Sequence, residues 1–113
     1  MPRPDDIPHF PFPKPREIEV LEMLPSDIIH AMTRVEVEEK IRDAGASLID
    51  AYLKNTPPEK ANYDECVQLV WGALSETGGS IPGQLGALMV GTSRTVAEDL
   101  SLDYFPDETL RHG

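Results

Sequence analysis

The clearest hydrophobic rhythm in this chain runs through Tyr63, Cys66, Val67, Val70, Trp71 and Leu74, apolar positions recurring at three and four residues. That spacing places all six on one face of a helix, and Thr77-Gly78-Gly79 supplies its stop. Upstream, Val37, Ile41, Ala44, Leu48 and Tyr52 obey the same rule and predict a second amphipathic helix. Thr33 followed three residues later by Glu36 has the pattern of a capping box, so that helix can begin there. Glu36 with Lys40, Glu38 with Arg42, and Asp50 with Lys54 are correctly ordered i,i+4 pairs on its solvated side. Inside it stands Ala44-Gly45-Ala46-Ser47. A mid-helix glycine costs about 1 kcal/mol against alanine, so the small run predicts close approach of a neighbouring helix rather than a ligand.

The other segments are less regular. Arg16 to Leu24 alternates as a strand does at Ile18 and Val20, but Leu21 and Leu24 suit one helical face. With no second strand-like segment to pair with, a short helix is expected. Ser26 is a plausible N-cap for a turn through Asp27, Ile28, Ile29 and Met32. Thr56-Pro57 with Glu59 offers one start for the Tyr63 helix, and Asn62 with Glu65 offers another. After it, Ser80 and Pro82 open a helix bearing Leu85, Leu88 and Met89. Gly91-Thr92-Ser93 is expected to break it before a final helix from Arg94 carrying Val96, Leu100 and Leu102. The sum is an all-α, single-domain bundle of four to five helices over 17–105, followed by a polar tail over 106–113.

Ahead of the bundle lies a proline-rich extended arm, residues 1–16, holding six of the eleven prolines within its first fifteen residues. Each proline removes a backbone donor and pushes its predecessor toward extended geometry, so the arm is not helical. Phe10 and Phe12, with Ile7, are unusual in a merely solvated tail, since disordered segments are poor in aromatics. They are expected to dock, either on the chain's own helices or on a partner.

Composition narrows the class of work. The chain has 113 residues, enough for one core, and a formal net charge of -10. Nucleic acid and anionic membranes are bound through basic patches, so neither is an expected partner. No apolar run has the length of a membrane span, and Met1-Pro-Arg-Pro-Asp-Asp lacks the apolar stretch of a secretory signal. The single cysteine, Cys66, makes no internal disulfide, so the expectation is a cytoplasmic protein.

Candidate chemistry is sparse. Cys66 falls on the apolar stripe of the cleanest helix, where a free cysteine acts as a small hydrophobe. His30 sits three after Asp27, two potential ligands where a metal site needs three or four. No Gly-x-Ser-x-Gly turn marks a nucleophile, so no catalytic, cofactor or metal residue is assigned. Gly83-Gln84-Leu85-Gly86 has the spacing of an RNA-binding Gly-x-x-Gly loop but lacks its sheet and its basic flanks.

Residues 84–100, with Ala87 in a first helix, Gly91 at a turn, and Ser93 and Arg94 opening a second, resemble the helix-turn-helix segment of bacterial regulators. Val96 falls one position early, and Thr92 stands where an apolar turn residue is usual. The resemblance implies DNA contact through Ser93 and Arg94, although Glu98 and Asp99 would face phosphate. An enzyme with an unrecognised site is the other alternative. The leading expectation is a non-enzymatic, acidic protein-interaction module, an adapter, accessory subunit or inhibitor of a basic partner. It would bind a protein or itself, with Ile7, Phe10 and Phe12 as anchors and no small-molecule substrate.

Overall fold

The computed structural model describes residues 10–106; Ile7 and the polar tail from 107 lie outside them. Among the described residues the chain forms helices only: α1 (Arg16–Glu22), α2 (Ser26–Ala31), α3 (Arg34–Lys54), α4 (Tyr63–Gly79) and α5 (Gly83–Tyr104). The ambiguous 16–24 segment is helical over Arg16–Glu22, burying Ile18 and Leu21, with Met23 as C-cap and Leu24 beyond the helix. α2 begins one residue earlier than expected. Pro25 takes the N-cap position and Ser26 is already in the first turn, with no side-chain cap.

α3 starts as its sequence specifies. The Thr33 N–H donates to Glu36 Oε1 at 2.8 Å, and the Glu36 N–H donates to Thr33 Oγ1 at 3.1 Å. Glu36 is therefore committed to the cap, and Arg42 reaches Asp99 of α5 at 3.1 Å rather than Glu38. Arg34 takes Glu38 instead, at 3.2 Å. Val37, Ile41, Ala44, Leu48 and Tyr52 are all buried. The small run does what it predicts: a Cβ at Gly45 would lie 2.7 Å from Leu100 Cδ1 and 3.3 Å from Val96 Cγ1. Glycine there lets α5 cross α3 at close range.

α4 uses the second of its two start signals. Asn62 is the N-cap and accepts from the Glu65 N–H at 2.8 Å, while Pro57 to Ala61 makes a single turn. A tertiary bond settles the choice: the Asn62 N–H donates to the Tyr52 hydroxyl at 3.1 Å, and that hydroxyl donates to Glu65 Oε1 at 2.7 Å. α4 ends at Gly79, within the expected stop at Thr77-Gly78-Gly79, which forms its last turn, and Thr77 and Gly78 are buried. Gly78 is there for packing, since its Cβ would sit 2.7 Å from Met89 Cβ. Trp71, expected in the core, is only half-buried.

The largest departure is α5, one continuous helix of 22 residues. Gly91 does not break it. Leu85, Met89, Ser93, Ala97 and Leu100 are buried at spacings of four and three, so a single face carries through the glycine. Thr92 and Ser93 turn their hydroxyls back on the helix, donating to the Leu88 and Val90 carbonyls at 2.8 Å and 2.9 Å. A polar pair that opens a new helix would instead receive backbone N–H groups. The hairpin with α4 is closed at Gly83, φ +76°, and at Gly86, where a Cβ would fall 1.7 Å from the Ile81 carbonyl oxygen.

Candidate functional site

Each aromatic of the arm has a partner inside the chain. Phe10 and Phe12 are half-buried against the core, edge-to-face with each other at 5.4 Å, and Phe12 meets the Tyr52 ring at 6.2 Å. Pro15 then leads directly into α1, and Lys14 reaches Glu22 at 3.0 Å. Part of the apolar area that marks these residues as anchors is thus spent on the chain's own helices. Ile7, the third expected anchor, lies outside the described residues.

Ser93 and Arg94, the pair that the helix-turn-helix resemblance selects, point in different directions. Ser93 is buried, 2.8 Å from Ser75 Oγ of α4. Arg94 is exposed, with its guanidinium 5.2 Å from the Trp71 ring centroid and 3.5 Å from Glu98. With α5 unbroken, residues 84–100 supply one helix where that motif needs two at a steep angle.

Cys66 is buried with its sulfur 3.5 Å from Ser101 Oγ, and burial pushes the thiol pKa up, away from the reactive thiolate. Tyr52 is pushed up to about 12, mainly by burial and then by its bond to the Glu65 carboxylate. His30 lies against Gly83 at the start of α5, and no three His, Cys, Asp or Glu side chains gather around a common point among the described residues.

The most exposed apolar surface among the described residues is the corner where α1, packed on α3, and α2, packed on α5, flank the start of α3. α1 anchors itself through Ile18 and Leu21, and α2 through Ile29. Helices of seven and six residues have only one face to bury, so their other apolar side chains stay in solvent. Of the six large apolar residues most exposed among the described residues, four lie here: Val20, Met23, Ile28 and Val35, with Met23 at 79%. Between this corner and α3 runs an open trough of 630 Å³. Leu24, Ile28 and Met32 form its apolar side, and Glu36, Glu39, Lys40, Arg42 and Asp43 its polar wall. A second recess of 170 Å³ adjoins it, lined by Arg16, Glu17, Val20 and Leu21, and shares Lys40 and Asp43. Sequence reasoning missed this site. The residues are visible as apolar, but which of them remain outside depends on how α1 sits on α3 and α2 on α5.

The fold is therefore an all-α domain whose most exposed apolar surface lies at one corner. No model of a protein family, no curated protein and no solved structure matches this chain.

Proposed function

We propose that the protein is a non-enzymatic interaction module that works by holding another protein against the corner of α1, α2 and α3. The observation that carries this reading is that four of the most exposed large apolar residues, Val20, Met23, Ile28 and Val35, fall on α1, α2 and the start of α3. These elements frame a trough with Ile28 on its apolar side and Glu36, Glu39, Asp43, Lys40 and Arg42 on its polar wall. Contiguous exposed apolar surface rimmed by polar residues marks interaction sites. A large aliphatic or thioether side chain gains about 1.5–3 kcal/mol when a partner removes it fully from water. The net charge of -10 favours a basic partner and speeds encounter with one. The arm enters this reading as a support that packs Phe12 on Tyr52, and the trough takes over the anchoring role first expected of it.

The test is affinity capture with two baits, the native chain and a Met23→Glu/Ile28→Glu double variant. Both positions are at least half exposed, so the variant should keep its helical circular dichroism. A partner held by the native chain and lost by the variant is the expected result. Equal capture would remove the corner from consideration, and no capture by either bait at low salt would sink the module reading. Deleting residues 1–9 is the informative arm truncation. Deleting 1–16 would also strip Phe12 from Tyr52.

A further inference from the structure

We infer that the trough receives an amphipathic helical segment of a partner protein, one edge of which carries Lys or Arg; this rests on the interaction-module reading above. Shape is the first argument. On the α2 side the apolar edge is made by Ile28 of the helix, Met32 at its C-cap and Leu24 just before Pro25. Across the trough Glu36, Glu39, Lys40 and Asp43 stand at i, i+3, i+4 and i+7 on α3, one face over about 10 Å of helix. A guest must therefore present apolar groups to one side and polar groups to the other, repeating at about the pitch of a helical turn. A helix laid in a groove does this. A strand-like guest would need a sheet edge and a polyproline guest an aromatic-lined groove, whereas the trough's walls are helical and its lining holds no aromatic residue.

Charge is the second argument. Residues 16–43 contain eight carboxylates and four cations. Two of the cations are drawn off by other acids, Arg34 to Glu38 and Arg42 to Asp99. Arg42, held by Asp99, and Lys40 share the trough wall with Glu36, Glu39 and Asp43, and Arg16 lies with Glu17 in the adjoining recess, so the trough itself keeps an excess of one carboxylate. A guest edge bearing Lys or Arg is complementary to that wall, and an acidic edge is repelled. Met23 and Met32 add unbranched, polarizable side chains at the corner, a surface that repacks around different apolar guests.

The test uses a displayed library of random 16-residue peptides selected against the full chain, followed by affinities for Ile28→Glu and for Glu39→Lys/Asp43→Lys. The expected winners are amphipathic sequences with Lys or Arg on one edge. They should lose at least about tenfold in affinity with each variant and shift backbone amide resonances mainly within 20–43. Winners that are acidic or uncharged, or that bind Ile28→Glu as well as the native chain, overturn the inference and leave the module reading standing. So does binding that appears only after residues 1–9 are removed, which would give the trough to the chain's own N-terminal segment. A dimer in light scattering that Ile28→Glu dissociates would give it to a second copy. An empty selection beside a captured partner sensitive to Met23→Glu/Ile28→Glu overturns the helical occupant alone. An empty selection with no captured partner overturns both.

Discussion

Replacing Gly91 with alanine decides between two descriptions of the C-terminal third, because they predict opposite signs. Gly91 is the ninth residue of the 22 in α5, far from either end, and a Cβ added there meets nothing within 4 Å. No packing is gained or lost, so the change isolates the backbone. A glycine inside an exposed stretch of helix is about 1 kcal/mol worse than alanine, since it surrenders more conformational freedom on folding. Gly91→Ala should therefore stabilise the domain by about 1 kcal/mol, a rise of roughly 4–8 °C in Tm for a domain near 100 residues. Urea unfolding followed by circular dichroism at 222 nm measures this, with an unchanged denaturant slope showing that both proteins lose the same structure. Gly83→Ala is the internal control. Its φ of +76° disfavours any Cβ, so alanine there should cost about 1–2 kcal/mol. Destabilisation by Gly91→Ala would mean that Gly91 turns the chain, and the continuous α5 would be wrong.

Three further outcomes follow from the packing. Gly86→Ala should cost about 3 kcal/mol or more, because its Cβ would collide with the backbone carbonyls of Ile81 and Gly78, which no rotamer change can move; a Tm within a few degrees of native would refute that contact. Tyr52→Phe removes one donated and one accepted hydrogen bond and should cost about 1–2 kcal/mol at neutral pH. Because Tyr52 is held neutral up to about 12 while the unfolded phenol ionises near 10, its contribution is complete below pH 10 and lost as pH rises toward 12. Thermal melts from pH 8 to 11.5 should therefore decline less steeply for Tyr52→Phe, Cys66 and Tyr104 adding losses of the same sign in both proteins. Amide hydrogen exchange should be faster across α1 and α2 than across the middle of α4 and α5, and equal protection would contradict the burial pattern.

What could be read in the sequence was what depends on neighbours within a few residues. The Thr33–Glu36 box and the 37–52 stripe specify α3 locally, and the 44–47 run signals a close helix because small side chains mean little else in mid-helix. The errors came where local signals tie or mislead. Thr56-Pro57 and Asn62 are both good starts, and the Tyr52 hydroxyl, ten residues away, selects between them. Gly78 and Gly91 both look like punctuation. Gly78 does lie in the last turn of α4, where Met89 needs the space, whereas Gly91 lies inside α5 because the buried face on either side holds the helix together. The trough was illegible for a related reason. Exposure of Ile28 beside burial of Ile29 is set by the orientation of a six-residue helix, which no periodicity over so short a span resolves.

The distribution of anchors connects these observations to binding. α4 buries nine of its seventeen residues, whereas α1 and α2 together bury Ile18, Leu21 and Ile29. The corner that carries the exposed apolar surface is thus also the part held by the fewest buried side chains. Ordering a residue costs about 1–2 kcal/mol of backbone entropy, so α1 and α2 sit nearer the balance point than the α3–α4–α5 framework does. A guest that covers Met23 and Ile28 adds apolar burial where the free chain has least of it. Binding should then tighten the corner as well as fill it, and part of the gross contact energy would go into that ordering. Under the proposed reading the expected affinity is moderate, and substitutions that stabilise α1 and α2 in the free protein should raise it without any change to the guest.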